Sequence, residues 1–287
     1  MLINPRLILV LAIVGASAVL PWSAQAQEQA TQTAPKKFVI PPDINGLKTI
    51  VAAPETTRPI RVAIYDGPGS GDDGVSNVEN RARQLEGVTI TRLTPDEVST
   101  ADLPGRFDVI MFSGGSGSGQ AKAIGESGRE KVREFVRGGG GYVGVCAGAY
   151  LACSGFEWSL GIMDARTVSN KWRRGRAFLD LEIVPAGREI FGDVDGTFKV
   201  RYANGPVIQP AGRDDLADYV PLSLFLTEVA ENETPAGIQI GTPAIAISTF
   251  GKGRVFISSP HPENTPGLEN MIPRALLWAA ADASAKP

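Results

Sequence analysis

From residue 60 onward, short apolar runs alternate with stretches in which apolar residues recur every three or four positions. The run at residues 61–65 predicts a buried strand that opens into a loop of Asp66, Gly67, Pro68 and Gly69. Val75, Val78, Ala82 and Leu85 then recur at helical spacing, and residues 88–93 read as the next strand. Thr94, Pro95, Asp96 and Glu97 form a capping box with proline at the first helical position, which predicts a short helix. A third strand at 108–112 runs into the glycine-rich loop 113–119. A second capping box, Ser127 to Glu130, predicts a helix with Val132, Phe135 and Val136 on one face and Gly138 as its stop. Residues 142–145 form a fourth apolar strand.

Later segments are less uniform. Residues 177–184 alternate, predicting a half-exposed strand with Asp180 and Glu182 toward solvent. Residues 244–249 and 254–258 pair through Gly251, Lys252 and Gly253, and Thr265 with Pro266 predicts the start of a helix carrying Leu268, Met271, Ile272, Ala275 and Leu276. Apolar strands alternating with amphipathic helices predict an α/β fold, a doubly wound, mostly parallel sheet flanked by helices. Ligands of such sheets collect at the carboxyl ends of the strands.

The first 26 residues have a different pattern. Arg6 is followed by an apolar stretch from Leu7 to Leu20, then Pro21 and the small-residue site Ala24, Gln25, Ala26. This describes a secretory signal cleaved after Ala26, and the run falls short of the roughly 20 residues a spanning helix needs. The expectation is a periplasmic or secreted protein without a stable membrane anchor. Residues 27–59, polar at first and then broken by Pro41, Pro42, Pro54 and Pro59, read as a low-complexity linker, with a short docked strand near Phe38 to Ile40. Residues 60–287 form the globular domain.

Composition narrows the chemistry. Apolar residues make up 43% and charged residues 21%, as in ordinary soluble domains. With 28 basic against 31 acidic residues and a net charge of −3, the chain lacks the cationic excess that phosphate backbones require, so no nucleic-acid partner is expected. Nothing in the sequence calls for a cofactor or a metal. Two cysteines, Cys146 and Cys153, cannot make a disulfide framework, and His261 is the only imidazole.

Those few reactive residues stand in informative places. Gly144, Cys146 and Gly148 form a Gly-x-nucleophile-x-Gly turn between a strand and a helix. Glycine two positions to either side lets the helix fold back over the strand and leaves the sulfur aimed into a cleft. His261 follows directly on a strand, with Glu263 two residues later to accept the imidazole proton and fix the tautomer. Cys153 reads as core. Residues 171–176, KWRRGR, read as an exposed loop rather than a basic rim, and Asn204 before Gly205 and Pro206 as a turn residue.

The ordered pieces MFSGGSGSG, GYVGVCAGAYLA and SSPHPE resemble the three signatures of class I glutamine amidotransferase domains. Tyr65 to Ser70, Cys146 to Gly148 and Tyr202 to Gly205 resemble one branch more closely, the N-terminal domain of biotin-protein ligases. The resemblance runs from about Ile60 to Ala280. It implies a flavodoxin-like α/β fold with Cys146 as nucleophile, His261 as base and Glu263 as its orienter. It also implies oxyanion or substrate contacts from Gly114, Gly115, Ala147, Asp66, Tyr202 and Asn204. The chain has no room for a ligase catalytic region, so biotin ligation is not expected of it. Two functions remain: a thiol amidohydrolase or acyl-transfer enzyme acting on a small or peptide-like substrate, and a silent module that keeps the cleft to bind a small ligand or partner. The complete Cys-His-Glu set favours the first.

Overall fold

Apolar residues of the central strands alternate between two cores, one on each face of the sheet, which is why their runs are continuous. Val62 and Ile64 enter one core while Ala63 and Tyr65 enter the other; Met111 and Phe112, and Val143 and Tyr142, divide in the same way. The computed structural model describes residues 38–281 except 47, 56, 57, 72 and 195, so the expected export signal lies outside the described residues. Among those described, no helix is long and apolar enough to cross a membrane.

In chain order the elements are β1 (Ile60–Tyr65), α1 (Gly74–Ala82), β2 (Val88–Leu93), α2 (Pro95–Thr100), α3 (Leu103–Arg106), β3 (Val109–Phe112), α4 (Gly117–Arg137), β4 (Gly141–Val145) and α5 (Ala147–Ala152). There follow β5 (Ala165–Thr167), β6 (Arg176–Ile183), α6 (Pro185–Phe191), β7 (Thr197–Ala203), β8 (Ile208–Pro210), β9 (Val220–Phe225), β10 (Pro243–Phe250), β11 (Gly253–Ser258) and α7 (Met271–Ala280). Nine strands among the described residues form one sheet, in the order β2-β1-β3-β4-β11-β10-β9-β6-β7. The five from β2 to β11 run parallel, and β10, β9, β6 and β7 extend the sheet through antiparallel pairs. Helices α1, α6 and α7 pack together on one face, and α2, α4 and α5 on the other. This is the doubly wound α/β fold, with an antiparallel extension built largely from residues 176–225.

Local expectations hold where local chemistry decides. The Thr94 capping box forms, with Thr94 N–H donating to Glu97 Oε2 at 2.8 Å and Glu97 N–H to Thr94 Oγ1 at 3.3 Å. They fail where glycine or distant partners intervene. Helix α4 has two parts: the second, after Gly125, is the helix expected from about Ser127, and the first, from Gly117, adds a turn-capped segment in which Ser116 Oγ accepts from Gly119 N–H at 3.2 Å. The helical backbone is interrupted only at Gly125, at φ 67°. Helix α7 starts at Met271, not at Thr265, since Gly267 takes φ 89° and turns the chain first.

The expected linker is also corrected. Phe38 to Ile40 form no strand, yet residues 40–59 belong to the same compact unit as the rest of the domain. Val51 is buried. Asn45 brackets Lys199 on edge strand β7, accepting from its N–H at 2.8 Å and donating to its C=O at 2.9 Å. Asn270 donates to Val51 O at 2.8 Å, and Arg274 to Ala52 O at 2.7 Å. A segment with few apolar residues is thus fastened by side chains more than 150 positions away, which local composition cannot reveal.

Candidate functional site

Cys146 sits between β4 and α5 at φ 51° and ψ −95°, a conformation that costs an L-residue on the order of 1–3 kcal/mol. The surrounding structure enforces it. Cys146 N–H donates to Ser258 O at 2.8 Å, extending the β4–β11 ladder by one bond. The flanking glycines are required by contact. A Cβ on Gly144 would stand 2.5 Å from Gly148 O, and one on Gly148 would stand 2.3 Å from Phe112 O. Tyr142 Oη donates to Gly148 O at 2.7 Å, and its ring continues the Tyr65–Phe112 stack beneath the turn.

His261 lies just past β11, and its Nδ1 is 2.7 Å from Glu263 Oε1. Both side chains are buried. Burial alone disfavours the imidazolium, but the charge of Glu263 and the nearby Cys146 sulfur outweigh it and raise the His261 pKa to about 10. Nε2 makes no directed hydrogen bond, and Cys146 Sγ points to Ala203 O at 3.5 Å. The loop is clamped from several sides: His261 N–H donates to Arg201 O at 2.8 Å, Thr265 Oγ1 to His261 O at 2.7 Å, and Arg81 Nε to Glu263 O at 3.0 Å. Gly114 packs against this pair, and a Cβ there would meet His261 Cε1 at 2.8 Å. Cys153 is fully buried, with burial pushing its thiol up to about 12.

The carboxyl ends of β1, β3, β4 and β11 therefore converge on one cleft of about 780 Å³. Cys146, His261, Glu263, Gly114, Gly115 and Asn204 all line it, and Ala147 lies directly behind Cys146 in the first turn of α5, where no carbonyl four residues back lies within the helix to take its N–H. Asn204, at φ 56°, accepts from Gly175 N–H through Oδ1 at 2.8 Å, so the turn residue also shapes the wall.

Two expected contacts lie elsewhere. Asp66 pairs with Arg92 at 3.1 Å and does not line the cleft; its neighbours Gly69 to Gly71 do the local work. Gly71 N–H donates to Gly114 O at 2.8 Å and Ser116 N–H to Gly69 O at 2.7 Å, tying the β1 loop to the β3 loop. Tyr65 Oη holds Pro68 O at 2.8 Å. The Tyr-Asp-Gly-Pro-Gly-Ser sequence is thus a buttress for the glycine-rich loop. Tyr202 is fully buried on β7, its Oη donating to Gly205 O at 2.7 Å and its ring edge-on to Phe225, behind the wall rather than in it.

The KWRRGR segment divides. Arg174 is buried and paired with Glu228 at 3.1 Å, whereas Trp172 and Arg176 line the cleft. Tyr150 of α5, Arg201 of β7, and Phe156 and Trp158 in the connection between α5 and β5 also line it; they come from separate elements with no shared local pattern, so no motif marks them in the chain.

Comparison with known proteins agrees with this architecture. Residues 60–178 match the family model described as biotin-protein ligase, N terminal. Among solved structures, PurLQS from Thermotoga maritima superposes with a TM-score of 0.55 at 15% identity, covering 77% of this chain and 99% of that one. A protein from Parabacteroides merdae described as ThuA-like reaches a TM-score of 0.49 at 14% identity, covering 78% and 91%. The likeness to PurLQS, at that identity, is a likeness of fold. No curated protein matches the chain.

Proposed function

We propose that this chain, which carries a class I glutamine amidotransferase-like domain similar to the N-terminal domain of biotin-protein ligases, is an exported thiol hydrolase or acyl-transfer enzyme acting on a carboxamide or peptide-like bond. The observation that carries the reading is the buried His261–Glu263 pair, 2.7 Å apart, electrostatically coupled to a cysteine on a strained, glycine-flanked turn in the same cleft. A core histidine needs no carboxylate at one nitrogen and no cysteine near enough to raise its pKa.

The chemistry follows from those positions. The proton given up by the attacking Cys146 sulfur is carried by His261, whose pKa near 10 keeps it there at neutral pH. The sulfur attacks the carbonyl carbon, and the C–S bond forms as the π electrons move to oxygen, facing the Gly115 and Ala147 amides. Collapse of the oxyanion breaks the C–N bond, with the His261 proton passing to the departing nitrogen. Water then attacks the thioester while His261 takes its proton. The C–S bond breaks, releasing the acid and restoring the pair.

Turnover is tested on reduced protein with simple carboxamides, N-acyl amides and short peptides, using Cys146→Ala as the blank. Release of amine above the blank by at least about 100-fold is expected for one of these classes. Release equal to the blank across all of them overturns the enzyme reading. Export is tested separately: mass spectrometry of the protein recovered from the periplasm or medium is expected to give Gln27 as the first residue, and a retained Met1 on membrane-bound material refutes it.

A further inference from the structure

Strand β7 is the last of the sheet, and its outer edge is turned toward the residues that follow β11. In an antiparallel pair the backbone groups of alternate residues face the partner strand, and those between them face away. On β7 the even-numbered positions face β6, since Asn204 N–H donates to Gly175 O at 3.1 Å just beyond the ladder. Lys199, Arg201 and Ala203 therefore turn their backbone N–H and C=O groups outward. The first two of these rungs are filled. Asn45 takes both groups of Lys199, at 2.8 and 2.9 Å. The backbone N–H of Arg201 donates to Thr265 Oγ1 at 3.0 Å, and its C=O accepts from His261 N–H at 2.8 Å. The third rung is different. Ala203 lines the cleft, its C=O stands 3.5 Å from Cys146 Sγ, and outside the β6–β7 ladder its N–H has no acceptor among the described residues. A thiol is a weak donor, and a sulfur that has given up its proton donates nothing, so the carbonyl is then open as well.

An unfilled strand edge is a template for extended chain, in which main-chain hydrogen bonds align the ligand. One residue of a ligand running antiparallel to β7 exchanges both of its backbone hydrogen bonds with Ala203, as the Asn45 amide does with Lys199 two rungs earlier. Because the Ala203 carbonyl lies against the sulfur, that pairing brings a neighbouring peptide bond to Cys146. The cleft has room for such a chain. Its volume of about 780 Å³ suits a ligand several times larger than a simple amide, and the stacked rings of Phe156 and Trp158, with centroids 4.6 Å apart, line the same space and suit an apolar side chain. We infer that the outer edge of β7 at Ala203 is a main-chain binding subsite, and that the substrate class is an extended peptide held there by its own backbone beside Cys146. This narrows the proposed thiol chemistry and rests on it for its meaning, though the pairing can be detected without it.

The test compares N-acetyl-trialanine chloromethyl ketone with chloroacetone at Cys146 of the full chain, each rate resolved by peptide mass spectrometry. Both reagents present the same electrophile, so their rate ratio cancels the fraction of thiolate. At Cys146 the peptide-to-chloroacetone ratio is expected to exceed that of 2-mercaptoethanol by at least about tenfold, since two ordinary hydrogen bonds contribute roughly a factor of 2–12 each. N-Methylation at one of the three amide nitrogens is expected to remove most of that advantage while its neighbours tolerate it, because adjacent residues of an extended peptide direct their N–H groups to opposite sides. Ala203→Pro deletes the N–H and keeps the carbonyl, and proline suits an edge strand where the N–H faces away from the ladder. The advantage is expected to fall by about fivefold in that variant. A ratio equal to that of 2-mercaptoethanol overturns the subsite, as does methylation tolerated, or equally harmful, at all three nitrogens. The full advantage retained in folded Ala203→Pro overturns it too; if that variant does not fold, the methylation pattern in the wild type decides. A high, methylation-sensitive ratio with both rates indifferent to His261→Ala keeps the subsite and removes the nucleophile reading instead. Should Cys146 react with neither reagent, quenching of tryptophan fluorescence by N-acetyl-trialanine amide decides: saturable binding weakened several-fold by methylation at a single nitrogen supports the proposal, and absent or insensitive binding overturns it.

Discussion

Alkylation of Cys146 by iodoacetamide at pH 7 is expected to drop by about 100-fold or more in His261→Ala, and by about 10–100-fold in Glu263→Gln, while Cys153 stays inert in all three proteins. The reasoning starts from the two opposing effects on His261. Burial, the largest, lowers its pKa, and the charges of Glu263 and Cys146 more than reverse this to reach about 10. Neutralising Glu263 removes the leading upward contribution, leaving an imidazole that burial keeps neutral and that presents no positive charge to the sulfur. The sign of the linkage gives a second reading. Because the folded-state value lies above the ordinary value of about 6.5, protonation of His261 stabilises the fold fully below that pH, and the contribution is lost as pH rises toward about 10. Wild-type protein is expected to lose stability across that window, and Glu263→Gln to show a much flatter profile. Equal alkylation rates in wild type and His261→Ala would remove imidazole activation from the account, whatever the fold.

Gly148→Ala is expected to destabilise the domain by more than about 3 kcal/mol, beyond the usual range for overpacking by a methyl group. The added Cβ would stand 2.3 Å from the Phe112 carbonyl oxygen and 2.9 Å from Phe112 Cβ. Neither can retreat easily: β3 is paired on both sides, and the Phe112 ring is stacked between Tyr65 and Tyr142. In a domain of this size the change corresponds to roughly 6–12 °C in Tm or more. Gly237→Ala is the control, since its φ of 80° carries the ordinary left-handed penalty of about 1–2 kcal/mol with no atom within 4 Å of the new Cβ. Urea titrations giving Gly148→Ala the same midpoint as Gly237→Ala would mean that the turn relaxes, and that its glycines are not sterically required.

Much of the cysteine turn and the parallel half of the sheet was legible in the chain. Gly144, Cys146 and Gly148 announced a turn whose glycines the fold uses for close backbone approach, and Thr94 with Glu97 announced a cap that closes as a local hydrogen-bonded box. Such features depend on residues within four positions of one another, so side-chain chemistry and spacing suffice. The expectation for Asp66 went astray through proximity: its loop does matter, but through the Gly69–Gly71 backbone rather than through the carboxylate, which Arg92 occupies. The placement of Tyr202 failed by parity, since Ala203 and Asn204 face the cleft while the tyrosine ring turns inward against Phe225.

By itself the sequence determined the alternating α/β plan, the strained cysteine turn and the pairing of His261 with Glu263, because each is set by short-range sterics, apolar periodicity or a two-residue spacing. Tertiary structure alone decided that residues 40–59 are fastened to the domain, that the sheet continues through four antiparallel strands, and that Arg176 and Arg201 meet on one face beside Cys146. Those outcomes depend on strand register between residues 15 to 27 positions apart and on hydrogen bonds between residues more than 150 positions apart. A one-residue slip of β6 against β7 would send one arginine to the opposite face of the sheet, and no local pattern in either strand encodes which register the packed core selects.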